Sequence, residues 1–264
     1  DKMNYRATLG ASDLGLTING PTGEKSSILM SLRRSYLQFL FSALKLPFLP
    51  TYTDFQLKYK IRLDPKNELT IIGLGAKDDF SLNLKANDTE FQRYILDYIP
   101  VQEQYSYVTG LVFKHYREKG YDTWVLSRNY LNNSQYKYLN NIEADTNKIY
   151  DYLSGEGEIK ARYERTIIGQ KGFRLGYGAG YEYAHYRNST YKRLIAGNLI
   201  DTEINYETNL KFSKFSVFGQ ISKTYLNQKL GLSLGVRSDL NTYSSEMSNP
   251  LSQLSPRFSA SYEL

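Results

Sequence analysis

Residues 55–63 read FQLKYKIRL, so that Phe55, Leu57, Tyr59, Ile61 and Leu63 alternate with Gln56, Lys58, Lys60 and Arg62. A period of two marks a strand whose faces meet different surroundings. Such runs recur at 3–20, 26–36, 53–64, 68–79, 104–117, 121–131, 156–168, 173–187, 209–226, 229–241 and 254–264. The first is long enough to be two strands broken near Ser12 and Asp13. The connections alternate as well. Those at 21–25, 64–68, 117–120, 169–172 and 227–229 are short, and those at 37–52, 80–103, 132–155, 188–208 and 242–253 are long. An antiparallel chain returns every second connection to the same end, so one end carries tight turns and the other long loops.

That arrangement predicts an all-β, antiparallel transmembrane β-barrel segment, with short periplasmic turns and long extracellular loops. Tilted strands need about 9–11 residues to cross the hydrocarbon layer, and many of these runs exceed the ~5–6 residues usual in soluble sheets. The faces fit the same reading. Leu230, Leu232, Leu234 and Val236 oppose Gly231, Ser233, Gly235 and Arg237. Phe173, Leu175, Tyr177, Ala179, Tyr181 and Tyr183 oppose Arg174, Gly176, Gly178, Gly180 and Glu182. The apolar face, with Phe55, Leu57, Tyr59, Ile61, Leu63, Leu230, Leu232, Leu234 and Val236, is expected to meet outer-membrane lipid. A half-buried soluble sheet gives the same period strand by strand. The strand number, the loop alternation and the aromatic content together favour the barrel.

Composition narrows the function. The 264 residues hold no cysteine and two histidines, which leaves no thiolate chemistry and argues against a His-based metal site. Tyrosine is frequent at 25 residues, as suits strands. The net charge of +6 is spread along the chain without a basic block, so no nucleic-acid partner is expected. GYGAG at 176–180 lies within a strand-like run and lacks the spacing of a dinucleotide loop.

Several stretches resemble TonB-dependent receptors, the energised transporters of Gram-negative outer membranes. They are GASDLGLTINGPTGEKSSILMSLRRSYLQFLF (10–41), LPFLPTYTDFQLKYK (46–60), IIGLGAKDDF (71–80), LSRNYLNN (126–133), FGQISKTYLNQKLGLSLGVRSDLN (218–241) and LSPRFSASYEL (254–264). The resemblance is to the branch with a carboxypeptidase-regulatory-like domain before the plug. It implies a 22-stranded barrel around a plug. It also implies active uptake of a large nutrient (an iron chelate, cobalamin, a glycan or a peptide) and a TonB complex acting on the plug. A surface lipoprotein is a further partner that the resemblance admits. On this reading residues 1–264 are one partial barrel domain of about 11–12 strands, without plug or closing strands. Its open edges invite self-association. It is not an enzyme and carries no cofactor. A passive porin, a small outer-membrane barrel enzyme and a soluble β-sandwich remain as alternatives.

The candidate substrate-binding residues are basic and fall on the expected lumen face: Arg33, Lys58, Lys60, Arg62, Arg174, Arg237 and Arg257, with Arg128 and Arg162 beside them. A basic lumen attracts anionic cargo. The competing expectation is that these charges pair with Glu158, Glu164, Glu182, Asp239 or Glu263, as enclosed charges must. Segment 36–52 predicts a short helix ending near Leu46, before Pro47, on the barrel mouth or at the interface. Asp78, Asp79, Asp88, Glu143 and Asp145 read as solvated loop acids, Trp124 as a belt residue or a lumen aromatic, and His115 and His185 as interface residues.

Overall fold

The structure is a computed structural model and describes residues 2–196, 199–227 and 229–263. Its twelve strands are β1 (Asn4–Leu9), β2 (Asp13–Gly23), β3 (Ser26–Ser35), β4 (Phe48–Arg62), β5 (Asn67–Leu82), β6 (Val101–Arg117), β7 (Gly120–Tyr138), β8 (Lys148–Ile168), β9 (Arg174–Ala196), β10 (Leu199–Tyr225), β11 (Leu230–Asn241) and β12 (Leu254–Tyr262). They form one sheet in chain order. Every neighbouring pair is antiparallel. Among the described residues β1 pairs only with β2, and β12 only with β11.

The sequence placed one break correctly and two long loops wrongly. The first run is two strands, divided by a tight turn in which the Gly10 amide donates to Asp13 O at 2.8 Å. The expected loops 132–155 and 188–208, however, are mostly strand. Strands β7 and β8 run on to a connection of only 139–147, and β9 and β10 continue to Ala196 and from Leu199. These extensions carry polar residues on both faces, so their apolar period disappears. Tyr136, Tyr138, Tyr150, Tyr152, Thr190 and Tyr191 still favour strand backbone, and the ladder extends with them. In β8, β9 and β10, at 21, 23 and 27 residues, the strands outrun the about 9–11 residues that a membrane requires. Asp78 and Asp79 likewise belong to β5, not to a loop.

Two helices sit in the long connections. Helix α1 (Leu37–Ala43) packs on β4, with the Phe41 and Phe48 rings 5.6 Å apart. Helix α2 (Glu90–Tyr98) starts in a capping box: the Gln92 amide donates to the Thr89 side chain, and the Gln92 side chain accepts from the Thr89 amide. The Lys137 ammonium holds its other end, donating to the carbonyls of Leu96 and Ile99, the latter at 3.1 Å.

The sheet has almost no core. Among the described residues only Ala86, Leu96 and Ala184 are buried hydrophobics. Leu16, Leu32, Leu126, Val217, Leu234 and Phe258 all stand exposed. The register puts them on one face: Leu16 pairs with Leu32 and Leu32 with Phe55, while Leu234 pairs with Ile221 and Phe258. Soluble monomers rarely leave so wide an apolar surface bare.

Candidate functional site: a layered polar face

Because cross-strand partners share a face, the register can be followed as rows across the sheet. On the polar face the rows change character from the long-connection end to the short-turn end. Outermost are tyrosines. Gln135, Tyr152, Thr190 and Tyr206 form one row, and Leu131, Glu156, Tyr186 and Leu210 form a lower one. Tyr150 and Tyr152 stack with ring centres 6.5 Å apart. Below them lies a hollow of about 500 Å³ lined by Val108, Leu131, Glu156, Glu158, Tyr186 and Phe212, among others. It is an aromatic and aliphatic recess with carboxylates at its rim.

The next layer is a quartet of alternating charge. The Lys160 ammonium lies 2.6 Å from Glu158 and 3.4 Å from Glu182. Lys214 lies 2.8 Å from Glu158 and 3.4 Å from Glu182. Asn129 completes Glu158, accepting from its amide at 2.8 Å and donating to its carboxylate at 3.3 Å. The strands impose this cluster: Lys160, Glu182 and Lys214 are direct cross-strand partners, and Glu158 is two residues from Lys160 on the same face. Two positive and two negative groups cancel, so the quartet ties β8, β9 and β10 together without adding net charge.

Nearer the short turns the balance becomes basic. Arg237 pairs with Asp239 at 2.6 Å and stands over the Phe218 ring; Arg162 pairs with Glu164 at 3.3 Å. Lys60 pairs with Glu68 at 2.8 Å, whereas Arg33 sits near the long-connection end of β3, in the row of Leu131 and Glu156, and pairs with Asp54 at 2.8 Å while lying over Tyr52. Among the described residues Lys58, Arg62, Arg174 and Arg257 have no carboxylate within ion-pair distance. The seven candidate cations thus divide: Arg33, Lys60 and Arg237 are paired, while the other four remain available for an anion. Glu263 lies beyond β12, and no ion pair involving it appears among the described residues.

The opposite face carries Phe55, Leu57, Tyr59 and Ile61, in register with Leu32, Met30, Ile28 and Ser26. Leu63 lies just beyond β4 in the turn. Leu230, Leu232, Leu234 and Val236 share this face with Tyr262, Ala260, Phe258 and Pro256. Trp124 is here too, with its ring centre 4.3 Å from Tyr163. Arg128 departs from the sequence reading. It is in register with Thr109 and Ile159 on the apolar face, and its guanidinium lies over the Tyr107 ring. The alternation of TWVLSRNYL gives the polar face to Ser127 and Asn129, which sets Arg128 with Trp124 and Leu126. A long stem lets such a charge reach toward water. His115 exchanges a hydrogen bond with Asn67 at 2.8 Å, also on the apolar face.

The sequence reading missed the tyrosine rows and the lysines of the quartet. Tyr150, Tyr152 and Tyr206 lie in segments whose sequence reads as loop, and Tyr186 at the end of the run 173–187. Lys160 and Lys214 were overlooked among many basic residues, although their positions opposite Glu182 follow once the hairpin registers are known. Among the described residues no group of acids and histidines is arranged to hold a metal.

No family model and no curated protein matches this chain. Solved structures do. A ferric enterobactin receptor mutant from Pseudomonas aeruginosa aligns at 14% identity with a TM-score of 0.63, over 99% of this chain and 41% of that one. The siderophore receptor PirA from Acinetobacter baumannii aligns at 12% identity with a TM-score of 0.65, over 99% and 40%. The outer membrane transporter YddB from Escherichia coli aligns at 11% identity with a TM-score of 0.60, over 94% and 35%. The chain therefore spans less than half the length of these structures. At these identities the likeness is one of fold: the twelve-stranded antiparallel sheet has the architecture of part of the barrel of TonB-dependent siderophore receptors.

Proposed function

We propose that this chain forms part of the barrel wall of a TonB-dependent outer-membrane receptor of a Gram-negative bacterium, and that its cargo is an anionic iron chelate. One observation carries the reading. Twelve strands expose a broad apolar face with nothing packed on it among the described residues, while the other face carries the charged rows and most of the ion pairs. Lipid is the solvent that removes the cost of the first face. Four unpaired cations on the second supply a field for an anion. The tyrosine rows at the long-connection end offer a stacking surface for an aromatic chelator. The siderophore receptors that share the fold favour iron chelates over cobalamin, glycans or peptides as cargo. In this role the chain lines a path and does no covalent chemistry.

Two measurements on the native protein test the proposal. Antibodies against residues 139–147 are used to blot outer-membrane fractions, boiled and unboiled. The expected band is heat-modifiable and much larger than this chain. A band in the soluble fraction overturns the reading. Uptake of a labelled ferric chelate by cells is then measured with and without a protonophore. Loss of uptake with the protonophore supports an energised receptor; unchanged uptake supports the passive porin.

A further inference from the structure

The apolar face has a recess. Trp124, Tyr163 and Ala179 are in one row, and Leu126, Ala161, Tyr181 and Phe215 in the next. The two alanines thus lie on a diagonal between two aromatic pairs, Trp124 with Tyr163 and Tyr181 with Phe215, whose ring centres are 4.3 Å and 5.1 Å apart. Small side chains between large ones leave a groove of about 630 Å³, which Phe113 and Leu126 help to wall. That is within the range of about 300–1,000 Å³ for pockets that hold small ligands. Its walls are hydrocarbon and ring faces, so its occupant must be apolar.

The row below the groove, toward the short turns, is ionic. His115, Asp122 and Arg165 are cross-strand partners there. Arg117 lies 2.6 Å and Arg165 3.3 Å from Asp122, and the Tyr163 hydroxyl donates to the same carboxylate at 3.0 Å. The Asp122 side chain is only 3% exposed, whereas Arg117 is 48% and Arg165 27% exposed. Two guanidiniums share one hidden carboxylate. The cluster is therefore net positive, and it presents its positive groups outward, directly beneath an apolar groove.

We propose that groove and cluster together bind one anionic phospholipid, with an acyl chain between the aromatic pairs and the phosphate on Arg117 and Arg165. The inference rests on the reading that this face meets lipid. A guanidinium fork matches phosphate oxygens, and a net-positive cluster selects an anionic over a zwitterionic headgroup because it repels the choline ammonium of the latter. The position at the short-turn end selects the periplasmic leaflet.

The test uses the full-length protein that carries this chain, purified in detergent and loaded with phosphatidylglycerol or phosphatidylcholine, with retained lipid counted by native mass spectrometry. One phosphatidylglycerol is expected to remain, at roughly fivefold the phosphatidylcholine level, as a charge-assisted contact of about 1 kcal/mol supplies. Ala179→Phe fills the groove without touching a charge and is expected to abolish the excess. Arg117→Gln with Arg165→Gln is expected to bring the two lipids level. Equal retention of both lipids by the unaltered protein, or an undiminished excess in an Ala179→Phe protein that still runs as a heat-modifiable band, overturns the proposal. A protein that needs detergent yet shows no preference defeats the lipid site alone. A protein that is monodisperse without detergent defeats the membrane reading beneath it.

Discussion

Single residues hold together what the strand pattern leaves loose. Lys137 is 5% exposed, although it lies in a polar stretch of β7. It is there because α2 ends against it: its ammonium serves the Leu96 and Ile99 carbonyls and the Asn141 side chain, the last at 2.7 Å. Lys137→Met removes the donor to Ile99 O and to Asn141 Oδ1 and leaves Leu96 O to the Asn141 side-chain amide alone, at 3.1 Å, and is expected to cost about 1–3 kcal/mol of local stability. Hydrogen exchange in 90–98 should rise while exchange in β8 and β9 stays unchanged; uniform exchange along the chain would contradict the capping role. Gly178 carries a different constraint. A Cβ there would meet Tyr163 O at 2.4 Å and the Phe218 ring at 2.7 Å. Gly178→Val is therefore expected to destabilise by about 1–3 kcal/mol, as overpacking does, with a lower unfolding temperature as the readout. The sequence shows Gly178 only as one of several strand glycines, because the close approach comes from β8 and β10.

At the scale of elements, pattern was readable where the two faces differ and unreadable where they do not. Strand β4 declares itself through Phe55, Leu57, Tyr59 and Ile61 alternating with Gln56, Lys58, Lys60 and Arg62. The outer halves of β7 to β10 present tyrosine, asparagine and serine to both sides, so the period that marks a strand is lost although the ladder continues. Helix α2 carried a legible signal, Thr89 with Gln92 three residues on, inside a segment read as a loop. The two helical connections are also joined. Lys45 and Asp88 form an ion pair at 2.7 Å, and Gln92 donates to Lys45 O at 2.7 Å. The Lys45 ammonium and its hydrogen bond hold the Asp88 carboxyl below the usual carboxylate range. A lowered folded value means that the pair's contribution is fully present above the free-carboxylate value of about 4 and is lost as pH falls through the lowered value. Exchange protection in 83–100 should then be flat from pH 7 to about 5 and decline below about 4; a decline already near neutrality would contradict this account. The outer strands make a separate prediction. Both β1 and β12 are fully exposed and each has one partner among the described residues. The 264-residue chain prepared alone is expected to self-associate through these edges. A monodisperse monomer in light scattering without detergent would oppose both the edge argument and the lipid-facing assignment.

On the proposed reading the whole molecule is organised by two solvents rather than by a core. A soluble sheet of this size would turn its apolar face onto a second layer; here that face stands open from β2 to β12. The opposite face grades from tyrosine rows, through a neutral Lys–Glu quartet, to a basic half near the short turns. On the proposed reading this order suits an anion that is recognised by rings first and drawn inward afterward. The most direct test is to place nitroxide labels singly along β4 in the full-length protein in liposomes, at Phe55, Leu57 and Tyr59 and at Gln56, Lys58 and Lys60, and to measure relaxation by oxygen and by a water-soluble nickel chelate. The account predicts that labels at 55, 57 and 59 are open to oxygen and closed to nickel, and that labels at 56, 58 and 60 are open to nickel. Labels at 55, 57 and 59 closed to both reagents would mean that another protein layer covers the apolar face, and the barrel-wall reading would fail.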